Sequence, residues 1–478
     1  MKVASVHYHL RPGGVTSVIL NTFKAKPQGV EFLVLTGESS PDFKYPYRVI
    51  PGLQYEQKRP NLDANQLLIE LKQAAKDYFG SSPDLWHFHN HSLGKNTLIP
   101  QVILKLAREK VPLLLHIHDF AEDGRPANYQ LMLNTFAQGK PERLAQYLYP
   151  KAEHVHYAVL TSRDKSFLHK AGANSNQVHL LANPVEVDFT LEKRERVLPQ
   201  ELSSFWLYPT RAIRRKNIGE FILLAMLCPD IVLATTRGPE NPFFRPIFER
   251  WKNFVQTRNL NNVLFELALK YDFVALLEKA KAIVSTSISE GFGLVFLEPW
   301  LKSKPLVGRD LPEITKDFKE KGLRLDLYHR FSFPLDWLDQ QYLRAKMTQV
   351  RQKQVQAYQI SPSPSDFEEV WQSFVCDQQI DFGRLDEELQ QMVLDFLIKN
   401  PAQKTIFPQP RPEPKWIEHN QKIVQTEFGL SKYKTNLLTT YNQIIHSKCT
   451  DVDSLDAVVL LKEFLAPHRF NFLKVDCR

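Results

Sequence analysis

One pattern constrains this chain more than any other: short apolar runs alternate with longer segments of helical spacing, and the alternation occurs twice. In the first half, residues 2–9, 31–37, 84–89, 113–118, 157–160 and 178–181 read as buried strands. Between them, 15–23, 62–79, 97–108 and 162–170 carry apolar residues at three- and four-residue steps and read as helices. Strand–helix units of this length predict a parallel, doubly wound sheet covered by helices on both faces. Residues 186–204 are charged, contain proline and lack clear periodicity, so they read as a linker. A second alternation follows. Its strands fall at 205–209, 231–235, 263–267, 282–287 and 305–308, and its helices at 217–227, 243–255, 271–279 and 292–301. The expectation is α/β, with two Rossmann-like domains, 1–185 and 205–318.

A chain of 478 residues suggests two or three domains. An apolar share of 43% and a charged share of 24% are those of a soluble globular protein. Cys228, Cys376, Cys449 and Cys477 are scattered without a CxxC pair, which argues against a structural zinc site and a disulfide framework and fits a reducing cytoplasm. The first residues lack the layout of a signal peptide, and no apolar run approaches the roughly 20 residues of a membrane span. A soluble protein, at most peripheral to a membrane, is expected. The net charge of +8 fits anionic partners.

The chemistry concentrates at the carboxyl ends of the strands, where open α/β sheets bind ligands. After the strand ending near Ser285, a turn carries Glu290 between Ser289 and Gly291, followed by Phe292, Gly293, Leu294 and, about two helical turns on, Glu298. Two carboxylates there would accept charge-assisted hydrogen bonds from sugar hydroxyls, and the helix N-terminus between them favours a phosphate. After the first strand of the second domain, Arg211, Arg214, Arg215 and Lys216 crowd one turn before Asn217, a suitable clamp for a diphosphate. Gly13 and Gly14 lie at the first strand-to-helix turn, where bare backbone can approach a phosphate. Histidines gather at the strand ends of the first domain: His7, His9, His87, His89, His91, His116 and His118. Two-residue spacing puts His87, His89 and His91 on one face of a strand, but no acidic or cysteine partner shows the usual ligand spacing, so no metal is expected. The basic turn lacks interleaved aromatics, and no nucleic-acid partner is expected.

These stretches resemble the retaining GT-B glycosyltransferases of the family 4 type. Glu290 and Glu298 form its Glu-x7-Glu motif, and Arg211-x4-Lys216-Asn217 resembles its Gly-Arg-x4-Lys-Asn motif, with Thr210 in place of the glycine. Gly13-Gly14 resembles its first glycine loop, Asp84-x-x-His87-x-His89-Asn90 its acceptor-side stretch, and His118-Asp119 its His-Asp motif. Asn183-Pro184 and Gly308-x-x-x-Pro-Glu313 resemble two further turns. The resemblance implies two domains facing a cleft and a sugar moved from a nucleoside diphosphate sugar to an acceptor hydroxyl with retention. Arg211 and Lys216 would hold the diphosphate, helped by Gly13 and Gly14. Glu290, with Gly291, Phe292, Gly293 and Leu294, would hold the donor sugar, Glu298 the ribose, and His118 the donor sugar from across the cleft. His87, His89, Asn90 and Asn96 would border the acceptor. The nucleotide sugar is a substrate, so no cofactor is implied.

After residue 318 the chain departs from the family. Residues 319–415 read as an enlarged helical insertion ending in a Pro-rich connector, 416–446 resemble the family's closing helices, and 447–478 read as an added tail. Sugar phosphorolysis or nucleotide-sugar epimerisation on the same scaffold, or nucleotide-sugar binding without turnover, stay open as alternatives.

Overall fold

A computed structural model describes residues 1–478 except 26, 187–198, 200, 201, 203, 363, 364 and 476–478. The expected linker lies largely outside the described residues, as does Cys477.

The first sheet holds β1 (Lys2–His7), β2 (Glu31–Thr36), β3 (Tyr47–Val49), β4 (Leu85–His89) and β5 (Leu113–Ile117). After the two-residue β6 (Pro150–Lys151) come its last strands, β7 (Val155–Val159) and β8 (Val178–Leu180). Their order is β3-β2-β1-β4-β5-β7-β8, all parallel, with Lys2 opposite Glu31 and Val3 opposite Leu85. Every residue of β4, β5 and β7 is buried, as expected of central strands covered on both faces. The second sheet holds β9 (Phe205–Arg211), β10 (Val232–Arg237), β11 (Val263–Leu264), β12 (Ala282–Ser285) and β13 (Leu306–Gly308). Its order is β11-β10-β9-β12-β13, again parallel. In both sheets the strand order reverses beside the first strand, which opens the crevice in which ligands sit.

Three expectations need correction. Residues 292–301 do not form one helix: Gly293 is left-handed (φ +92°), a 3-10 turn spans Leu294–Phe296, and a short α-helix runs Glu298–Leu301. Pro299 has no amide to donate to a preceding turn, so a continuous helix breaks there. The insertion is not purely helical. It contains a three-stranded antiparallel sheet, β14 (Ser332–Pro334), β15 (Val375–Cys376) and β16 (Gln379–Asp381), beside the helices Gln340–Tyr358 and Glu387–Lys399. The Pro-rich connector is not wholly extended, because Pro401–Ile406 forms a 3-10 helix.

The additions are built into the body. Arg309, just after β13, bonds Glu220 at 2.7 Å and Asp381 of the inserted sheet at 2.6 Å, while the Tyr328 hydroxyl donates to Glu220 at 2.8 Å. The helix Leu430–Ile445 lies on helix α1 (Gly14–Ala25): Tyr433 reaches Thr22 at 3.0 Å, and Tyr441 reaches His87 at 2.9 Å. In the tail, β17 (Asp453–Ser454) pairs with β6, and Phe464 of the helix Ala457–Phe464 packs on Phe120 and Phe167. Among the described residues, no helix is long and apolar enough to cross a membrane.

Candidate active site

The basic turn and the Glu290 loop are fastened together through their backbones. Arg214–Lys216 forms a 3-10 turn after β9, closed by Asn217 in the left-handed region (φ 55°). The Arg215 carbonyl accepts from the Ile288 amide (2.9 Å) and the Ser287 hydroxyl (3.2 Å), and the Lys216 carbonyl from Tyr208 (3.0 Å) and Thr286 (3.1 Å). This places the Lys216 ammonium in contact with the Glu290 carboxylate. Burial alone would raise Glu290, but the Lys216 and Arg215 charges hold its carboxyl below the ordinary value. Arg215 has no ion pair among the described residues, and its Nε is buried without a hydrogen-bond partner. Its charge acts on Glu290 on one side and Asp119 on the other.

A cavity of about 620 Å³ opens between the two sheets at this point. Gly14, Val15 and Ser17 from the start of α1 line one wall, with His118 and Asp119 after β5. Arg215, Lys216, Glu290, Gly293 and Glu298 line the other, and Pro209, Phe273 and Leu277 form an apolar end. The first turn of α1 carries no acidic residue, and a Cβ at Gly14 would meet no atom within 4 Å. Those free amides and that open backbone suit a phosphate. Across the cleft, a Cβ at Gly291 would lie 3.3 Å from the His118 carbonyl oxygen, so the two walls touch where glycine permits it. Glu298 is exposed at the rim of the cavity, and desolvation by the protein around its carboxyl raises it to about 7.

His118 is oriented from behind. Its Nε2 meets His89 Nδ1 at 3.0 Å, and His89 Nε2 meets the Ser5 hydroxyl at 3.2 Å. Burial lowers His118 to about 4, so its imidazole is neutral at pH 7. Asn90, in the left-handed region, accepts from the backbone amides of His118 (2.7 Å) and Asp119 (3.0 Å) and shapes the turn that presents them.

The structure moves several expected residues. Arg211, the last residue of β9, does not line the cavity; it is 48% exposed and pairs with Glu240 at 3.1 Å. Gly13 lies beside the cavity rather than in it. The ring of Phe292 turns inward against Phe318, although the residue borders the cavity, as does Leu294. His87, His89 and Asn96 do not face the cleft as acceptor contacts. His87 is buried between Tyr441 and His116, and Asn96 donates to the Gly52 and Gln54 carbonyls while accepting from the amides of Leu98 and Ile99. Sequence reasoning left Arg215 without a role. The apolar Phe273 and Leu277 carried no signal beyond helical periodicity.

His87, His89 and His116 bring ring nitrogens within 4.8 Å of one another. Their rings stack, at 4.2 Å for His87 and His89 and 5.3 Å for His87 and His116, and burial lowers all three pKa values. His87 and His89 are each bonded at both ring nitrogens, while His116 Nε2 has no partner. Burial favours the neutral imidazoles in this hydrogen-bonded stack.

No protein-family model matches the chain. A Petrotoga mobilis protein named mannosylglucosyl-3-phosphoglycerate synthase is 26% identical over 362 residues, covering 68% of each chain. Among solved structures, Anabaena HepE in complex with UDP-glucose aligns with a TM-score of 0.52 and 14% identity, covering 92% of this chain and 99% of its own. The sucrose-phosphate synthase of Thermosynechococcus elongatus aligns with a TM-score of 0.53 and 16% identity, covering 92% and 98%. The fold is GT-B: two Rossmann-like sheets facing one cleft.

Proposed function

We propose that this chain is a retaining glycosyltransferase that moves a sugar from a nucleoside diphosphate sugar to a hydroxyl on a glycan, lipid or small molecule. One observation carries the reading: the unpaired Arg215 guanidinium and the Lys216–Glu290 contact face the N-terminus of α1 and the neutral His118 across a single cavity. The diphosphate lies against Arg215, Lys216 and the α1 amides, with Gly14 leaving room for a phosphate oxygen. Lys216 has three N–H donors and bridges Glu290 and the diphosphate at once. Glu290 accepts from sugar hydroxyls, Glu298 from the ribose, and His118 contacts the sugar from the first domain.

In the transfer, the anomeric carbon's bond to the diphosphate oxygen breaks as the acceptor oxygen bonds to that carbon. The acceptor proton passes to the leaving phosphate on the same face, which gives retention. Charge grows on the leaving diphosphate, where the fixed cations stabilise it, so the chemistry calls for no metal. The similarity to HepE, solved with UDP-glucose, and to a relative named as a synthase of a glycoside supports the reading.

Thermal-shift measurements in EDTA with UDP, GDP and ADP test it. Stabilisation by one nucleoside diphosphate, weakened in Arg215→Ala and Glu298→Ala, is expected. A folded wild type indifferent to all three would defeat the reading.

A further inference from the structure

A second and larger cavity, about 810 Å³, adjoins the first, and Arg215 and Glu290 line both. Its walls come from the whole chain. The first domain supplies Lys95 and 123–128, the second 288–290 and 309–314, the insertion His329, Arg330 and Arg384, and the tail 468–471 and Lys474. Most of its cations are already neutralised, as in the pairs Arg163–Asp164, Arg309–Asp381 and Arg469–Glu313.

Four are not. Among the described residues, Lys95, Arg215, Arg330 and Arg384 have no carboxylate within ion-pairing distance. Lys95 meets the Tyr55 ring at 5.6 Å, with the charges of Arg125 and Asp119 acting on it from farther away. Arg384 is held by the carbonyls of Ser373 and Pro467 and lies over Phe374. Burial lowers it to about 10; the Asp381 charge works against this, and the charges of Arg309 and Arg330 add to it. Arg330 is exposed, while Lys95, Arg215 and Arg384 are half-buried, and gathering like charges around a half-enclosed space is unfavourable unless an anion answers them.

We infer that the second cavity is the acceptor site and that the acceptor is anionic, carrying a phosphate or carboxylate held by Lys95, Arg330 and Arg384. The inference rests on the glycosyl-transfer reading. A molecule anchored there by its anion presents its hydroxyl at Arg215 and Glu290, where the two cavities meet and the anomeric carbon would lie. The insertion and the tail then have a purpose: they supply Arg330, Arg384 and a wall of the acceptor chamber. A guanidinium grips phosphate or carboxylate in bidentate fashion, which fixes direction as well as charge.

The test uses the full chain saturated with whichever nucleoside diphosphate stabilises it. Glucose 6-phosphate and gluconate are the soluble probes, glucose is the neutral control, and vesicles of phosphatidylglycerol compared with phosphatidylcholine test a lipid source of the same anion. Calorimetry should show binding of a soluble anion, or of the anionic vesicles, and none of glucose. Affinity should fall about tenfold or more in the Lys95→Ala, Arg330→Ala double variant and should drop with added salt. Both side chains are free of ion pairs, so the variant keeps its fold, and unchanged nucleotide binding verifies this. Arg384→Lys gives a second variant that retains charge and loses the fork; weakened anion binding is expected there too. Nucleotide binding without any response to the anionic probes, or anion binding indifferent to both variants, overturns the inference and leaves the glycosyl-transfer reading standing. A wild type that binds the anions but no nucleoside diphosphate removes the acceptor assignment together with that reading.

Discussion

Replacing Arg215 by alanine, beside Arg211 by alanine, separates two accounts of the basic turn. Motif spacing gives the diphosphate to Arg211; the proposed function gives it to Arg215, which lines the cavity. Arg211 is 48% exposed and its partner Glu240 is 58% exposed, so that pair is worth about 0–1 kcal/mol. Its loss should change donor affinity by less than about fivefold. Arg215 lies between Asp119 and Glu290, with its Nε buried and unpartnered. A charge-assisted hydrogen bond from it to a phosphate is worth about 1.5–3 kcal/mol, so its loss should weaken nucleoside diphosphate binding by about 10- to 150-fold. Calorimetric titration of both variants with the nucleotide that stabilises the wild type gives the ratio. Thermal unfolding controls for folding. A larger loss in Arg211→Ala than in Arg215→Ala would refute the reasoning.

Further outcomes follow from the same geometry. Glu298, raised to about 7, gains its full acceptor charge only above that value. Donor affinity should therefore climb as pH rises through about 7 and flatten in Glu298→Gln, which titration across that range would show. Arg309→Met leaves Glu220 and Asp381 buried without their shared cation, and should cost about 3–5 kcal/mol in urea denaturation. A native-like midpoint would mean that the inserted sheet is not anchored there. Gly293→Ala adds a Cβ at φ +92°, 2.8 Å from the Phe296 ring and 2.9 Å from Ile314. It should lose about 1–3 kcal/mol of stability and weaken donor binding, both measurable on one purified variant.

The fold was legible because buried parallel strands and their covering helices leave local periodicity, and each of the two alternations ends up in one sheet. The Glu290 turn was legible for the same reason: a strand end followed by glycines marks a crevice. What was not legible depends on contacts far apart in sequence. Which cation of the basic turn faces the cavity depends on the left-handed Asn217 and on the carbonyl bonds to 286–288. His87 looks like a site residue until Tyr441, 354 residues away, covers it. Asn96 likewise serves the Gly52 and Gln54 carbonyls, more than 40 residues earlier. The tail joins the first domain through a two-residue strand pair, the Phe464 ring, the Lys170–Glu463 ion pair and scattered backbone bonds, contacts whose partners lie far away in sequence and leave no local pattern.

The most direct test of the account is release of a nucleoside diphosphate from a panel of UDP-, GDP- and ADP-sugars in EDTA, with a sugar phosphate present as acceptor. The account predicts turnover of one donor, a product with the donor's anomeric configuration, and loss of that turnover in Arg215→Ala. A protein that binds the nucleotide yet releases none from any donor would contradict it and make the chain a binding subunit instead.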